Sequence, residues 1–175
     1  MKFRNDAGFS WFDLLICLVL IAILIALSLP CCAPALVKGQ MIQTLANMKK
    51  LHFATQSMVI DVVTTDDKSL GWPGDTGGTF TNWARQLVPA YLGTNEFCRL
   101  LSAPGKNLPV ESFPLEMSKS AVLVYAVSSN SPATTTFLTT ANFTNTPAGG
   151  APLTKLAKPF SNKGFVVFQK GGSGA

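Results

Sequence analysis

No charged residue occurs between Leu14 and Val37, and the longer stretch from Phe9 to Leu29 is apolar apart from Ser10, Asp13 and Ser28. A run of this kind must be covered by something other than water. Wound as a helix it spans about 30 Å, the thickness of a bilayer core. Leu, Ile, Val and Ala dominate it, with no glycine inside, and Lys2 and Arg4 precede it. The positive-inside rule then predicts a cytoplasmic N-terminus with the rest of the chain sent outward. Charged residues make up only 13% of the chain, and the mean hydropathy is +0.30. The apolar excess is concentrated at this one end, and beyond Lys38 the composition is that of a soluble domain. A length of 175 residues suits one modest domain plus an anchor.

Three readings of the N-terminal segment compete. An ordinary secretory signal peptide would have the basic start, the apolar middle and a cleavage site near Ala33 and Ala35. A lipoprotein signal would end at Cys31 or Cys32, but Pro30 or Cys31 would then stand where a small residue is expected. The third is a short leader cut after Gly8. Asp13 separates them, because a carboxylate at the centre of a membrane helix costs roughly 2.5–3.5 kcal/mol, and less near an end. A signal peptide has no use for that charge. Cleavage between Gly8 and Phe9 gives it one, since Asp13 can pair with the new α-amino group of a neighbouring copy and fix the register between stacked helices.

Gly8-Phe9-Ser10, the acid at Asp13, the long apolar helix and Pro30 together resemble the type IV pilin signature, which type II secretion pseudopilins share. The resemblance implies a leader over residues 1–8 removed by a prepilin peptidase, and N-methylation of Phe9. It further implies a membrane-spanning assembly helix over residues 9–37 and a periplasmic head over 38–175. The family acid is usually glutamate; Asp13 is one methylene shorter. Gly71-Trp-Pro-Gly-Asp75 and Leu87-Val-Pro-Ala-Tyr-Leu92 are similar to the segment after the helix in pseudopilins, and no paired cysteine loop stands near the C-terminus. The implied protein is a structural subunit of a periplasmic pseudopilus or pilus that polymerises through its N-terminal helix to support type II protein secretion. Its implied partners are the prepilin peptidase, copies of itself, other pseudopilins and the inner-membrane secretion platform. The implied location is the bacterial inner membrane, single-pass, with the head in the periplasm. A type IV pilus subunit for adhesion, motility or DNA uptake and an exported soluble protein are the alternatives.

Beyond the apolar run, Pro30 and Pro34 each remove a helix hydrogen bond and are expected to bend the helix. Met41, Leu45, Met48, His52, Thr55, Val59 and Val62 then recur at spacings of three and four, which predicts one helical face packed on a head. Residues 64–82, rich in Asp, Gly and Pro, read as a loop. Asn82 is placed to cap a short helix that Pro89 ends. Strands are expected over 121–127, 134–140 and 164–168, with a turn at 128–132, and the Gly-rich end at 171–175 reads as flexible or truncated. Helix first and a small antiparallel sheet afterwards predicts an α+β, pilin-like fold: a long N-terminal helix, its lower half in the membrane, packed on a β-sheet head.

Little in the sequence points to chemistry. Cys17, Cys31, Cys32 and Cys98 lack the spacing of a disulfide framework or a zinc site. His52 is the single histidine and lies on the packed helical stripe. Asp61, Asp66, Asp67 and Asp75 invite a calcium site, yet their spacing matches no calcium loop and reads as a solvated turn region. No nucleophile elbow, phosphate loop or zinc-protease motif occurs, so no enzyme, cofactor or metal is expected. The net charge of +5 comes from scattered lysines, which argues against nucleic-acid binding. The threonine-rich stretch 134–146 is open to reading as a glycan-binding or glycosylated face.

Overall fold

The computed structural model describes residues 11–67, 69–109, 117–143 and 158–175, with only the helical backbone described over 27–33. The chain divides into two compact units, Met1–Lys38 and Gly39–Ala175. Helix α1, Trp11–Thr65, contributes to both and is 55 residues long.

In the first unit the sequence expectation needs correction. Among the described residues no helix is long and apolar enough to cross a membrane. The described apolar stretch carries Asp13 in its first turn, a charge that is costly in hydrocarbon. From Lys38 onward α1 carries Lys49, Lys50 and Asp61, which exclude that part from hydrocarbon. The expected membrane-spanning lower half, and with it the single-pass inner-membrane placement, is therefore withdrawn. Pro30 and Pro34 both fall within the helix assignment, and the side chain of Pro30 lies outside the described residues.

The second unit is an α+β head. Its first element is the later part of α1, whose inward face buries Thr44, Met48, Leu51, His52, Thr55 and Met58. The predicted stripe is thus buried at Met48, His52 and Thr55, and half-buried at Met41, Leu45, Val59 and Val62. Thr44 and Thr55 return their hydroxyl protons to the carbonyls of Gln40 and Leu51, so polar side chains on the packed face are satisfied within the helix.

Helix α2, Phe80–Leu87, follows the loop. Its cap is Thr79, whose hydroxyl oxygen accepts from the Asn82 backbone N–H at 3.3 Å, and not Asn82 as the sequence suggested. The helix starts earlier because Phe80, Trp83, Ala84 and Leu87 form one buried face, and including Phe80 in it completes that face. Helix α3, Thr94–Leu100, was not anticipated; it is short, and only Phe97, Cys98 and Leu100 are buried in it.

Three strands form an antiparallel sheet in the order β1 (Val122–Val124), β2 (Thr136–Thr140), β3 (Val167–Gln169). Val122 faces Thr140 and Val124 faces Leu138, and on the other side Leu138 faces Phe168. The first strand is shorter than the β-rich sequence suggested: the Tyr125 N–H still donates to the Phe137 carbonyl at 2.9 Å, and the chain leaves the ladder at residues 126 and 127. Gly74 donates its backbone N–H to Val127 there, at 2.8 Å. The expected flexible tail is also corrected. Val167 and Ala175 exchange two backbone hydrogen bonds, at 2.8 and 2.9 Å, and Gln169 N–H donates to Ser173 at 2.8 Å, so the chain end forms a turn covering the outer edge of β3.

Candidate functional site

In the first unit the side chains of α1 from Trp11 to Ala26 are all exposed, and all but Asp13 are apolar. Trp11 is 78% exposed, and Leu14, Ile16, Leu18, Ile21 and Ile25 are also exposed. A helix apolar all round is stable in water only when something covers it. Asp13 sits in the first turn of α1. Gly8 and Phe9, the expected processing and assembly residues, lie outside the described residues. Pro34 is exposed within α1.

The head places its one histidine in an aromatic enclosure. His52 is 4% exposed, with ring centroids of Phe168, Trp72, Phe137 and Phe53 at 5.2, 5.9, 6.2 and 6.2 Å. Its Nε2–H donates to the Lys170 carbonyl at 2.7 Å. Burial pushes its pKa below the usual histidine value, partly opposed by that bond, so the neutral ring is the favoured form. This is the geometry of a packed side chain that ties α1 to the segment after β3. No carboxylate, nucleophile or second histidine is among its recorded partners.

Lys170 completes the same corner. Its ammonium donates to the carbonyls of Ser129 and Ser131 at 2.6 and 2.7 Å and lies 5.6 Å from the Trp72 ring centroid. Sequence reasoning missed this contact, since the residues are about forty positions apart and only the fold joins them. A signal existed at Trp72, whose Gly/Pro setting marks a turn that must pack an aromatic.

The acids weighed and set aside as calcium ligands hydrogen-bond to separate protein donors. Asp61 accepts from the Tyr91 hydroxyl at 2.7 Å, Asp67 from Ser69 at 2.6 and 2.9 Å, and Asp75 from the Ser129 backbone N–H at 2.8 Å. The Asp61 hydrogen bond raises the Tyr91 pKa to about 12. The Ser69 side chain and backbone hold Asp67 below its usual carboxylate value. Among the described residues no group of histidine, cysteine and acidic side chains is arranged to hold a metal ion.

The threonine-rich stretch is open only in part, with Thr134 exposed and Thr135 and Thr136 half-buried. Thr139 and Thr140 are fully buried, and the Thr140 hydroxyl accepts from the Val166 backbone N–H at 3.0 Å. Residues 144–146 lie outside the described residues. Cys98 is buried, which raises its thiol pKa and removes it as a surface crosslinking residue. A cleft of about 270 Å³ beside α1 is lined by Gln40, Gln43, Asn47, Arg99 and Asn107 together with Ala103 and Pro104, a mixed lining with no carboxylate, histidine or thiol.

Comparison with known proteins finds no matching family model, no match among curated proteins and no match among solved structures.

Proposed function

We propose that this chain is a structural subunit that polymerises through the first part of α1, in the manner of the pilin-like family that its N-terminal residues resemble. The fibre it builds serves type II protein secretion. The observation that carries the reading is the bare apolar helix from Trp11 to Ala26, exposed on all sides and attached to a chain with an ordered head. Copies of the same helix, bundled side by side, supply an apolar cover of the right length and chemistry. The head then remains outside the bundle and keeps its own core. A catalytic role has no residues to support it, since His52 is enclosed by rings and the acids are separately bonded.

In this reading a prepilin peptidase cuts between Gly8 and Phe9, and Asp13 pairs with the amino group of a neighbouring copy. Other pilin-like subunits and the secretion platform are the remaining partners. The α-amino group has a reference pKa near 8, so it carries a charge at neutral pH for Asp13 to meet. The test is subunit crosslinking in assembled material, with Asp13→Ala and Asp13→Glu side by side. Asp13→Ala is expected to leave the head folded and to lower crosslinking several-fold, while Asp13→Glu retains it. Equal crosslinking for Asp13→Ala and the natural chain would remove Asp13 from assembly.

A further inference from the structure

The polar cleft of the head brings together side chains that the fold itself does not use. Gln40, Gln43 and Asn47 stand at spacings of three and four on one side of α1, Arg99 comes from the last turn of α3, and Asn107 comes from the loop after it. The two hydroxyls in the lining are already bonded. Thr44 donates to the Gln40 carbonyl at 2.9 Å. Ser102 donates to the Cys98 carbonyl at 2.8 Å and accepts from the Leu108 backbone N–H at 2.9 Å. The four carboxamides and the guanidinium are not. Among the described residues none of these five side chains makes a hydrogen bond or an ion pair, and Glu96, three residues before Arg99, does not pair with it. Single amides on a surface need only water, but four that converge with a cation on one concavity are the convergent polar groups of a binding cleft.

We infer that this cleft binds an extended peptide segment that carries a carboxylate. Charge decides the carboxylate. Arg99 is the one charged side chain in the lining, so a ligand there meets a guanidinium that no acid neutralises, and a carboxylate matches its fork with two parallel hydrogen bonds. A cation would be repelled by the same group and would find no carboxylate to hold it.

Hydrogen-bond type decides the peptide. A carboxamide donates through its NH₂ and accepts at its C=O, as a peptide group donates and accepts, so one Asn or Gln side chain can satisfy one backbone unit of a bound strand. The spacing along α1 agrees. Gln43 and Asn47 are separated by about 6 Å of helix rise, and backbone groups on one side of an extended chain recur every two residues, about 6.6–6.8 Å. A volume of about 270 Å³ stands at the small end of ligand pockets and suits a short segment better than a folded surface.

This inference does not rest on the fibre reading, which concerns Trp11–Ala26, and the two fail separately. The test uses the full chain, immobilised in mild detergent and exposed to a mixed hexapeptide library. Every library position holds Ala, Asn, Asp, Lys, Phe, Ser or Val in equal amounts, and retained peptides are sequenced by mass spectrometry. The expected result is a retained pool enriched roughly fivefold or more in Asp at one position. Arg99→Gln is expected to erase that enrichment. Gln43→Leu made together with Asn47→Leu is expected to lower retention on the order of tenfold, with thermal unfolding of the head unchanged in both variants. Acetate and glucuronate, added as competitors, are expected to displace a retained Asp peptide far less well than the same peptide added free. A retained pool with the composition of the input would overturn the inference. So would Asp enrichment that survives Arg99→Gln, enrichment confined to Phe and Val, or equal displacement by acetate, which would reduce the cleft to a general anion site.

Discussion

One helix assignment covers two stretches of opposite character. From Trp11 to Ala26 every side chain is exposed, and all but Asp13 are apolar. From Gly39 to Thr65 the helix is sided: Met48, Leu51 and Met58 are fully buried, while Lys49, Lys50 and Gln56 are exposed. The second stretch is stabilised by its own chain, through a core of aromatic and aliphatic contacts. The described side chains of the first are exposed. Helical backbone alone therefore says little about what an element does; what matters is whether the chain that carries it also carries its cover.

Separate failure is the consequence to test: changes in the head should alter folding, and changes in the bare stretch should alter association. The largest folding effect is expected from Phe137→Ala. Phe137 is fully buried, with Trp72, Trp83 and His52 ring centroids 5.2, 6.1 and 6.2 Å away. Its truncation should cost the head about 3–5 kcal/mol in denaturant unfolding. Gly174→Ala comes next. An added Cβ would meet the Leu45 side chain and stand 2.7 Å from the Phe168 ring, wedging the terminal turn away from α1, and about 1–3 kcal/mol is expected by the same measurement.

A pH profile sharpens the comparison further, because His52 belongs to the head alone. Its folded pKa is depressed below 6.5, so under acid the unfolded chain takes up a proton that the buried ring resists. The stability this group contributes is full above the unfolded value and is lost as pH falls through the folded one. The melting temperature should drop as pH falls below about 6.5, and His52→Gln should flatten that part of the curve. The smallest effect is expected at Tyr91. Tyr91→Phe removes the hydrogen bond to Asp61 and should cost about 0.5–1.5 kcal/mol at neutral pH. Because the folded Tyr91 pKa is raised to about 12, this contribution is full below pH 10 and is lost between there and about pH 12.

Much of the head was legible in the sequence. The recurrence of Met41, Leu45, Met48, His52 and Thr55 marks the inward face of α1, since helical spacing alone decides which side chains share a side. The β-branched runs around Val122 and Thr136 mark two of the three strands, and the order of helix before sheet is that of an α+β head. What stayed hidden depends on distant partners. The end of the chain is rich in glycine and reads as loose, yet it is held because β3 presents an open edge and glycine at 174 allows close approach to Leu45. α3 has too few apolar positions to announce itself. The membrane span was over-read for a different reason: hydropathy cannot tell lipid from a bundle of like helices, and among the described residues no helix is long and apolar enough to cross a membrane. The candidate assembly residues were legible only in part, with Asp13 placed in the first turn of α1 and Gly8 and Phe9 outside the described residues.

The central claim, that the bare stretch is covered by copies of itself, is tested most directly by charging it. Leu18→Lys and Ile25→Lys, made together, put two ammonium groups on exposed positions of the first unit. Sedimentation and electron microscopy of the full chain should show fibres for the natural sequence and none for the double variant. The head's unfolding curve should be unchanged between the two. Fibres of equal length and number from both chains, with both heads folded, would contradict the account.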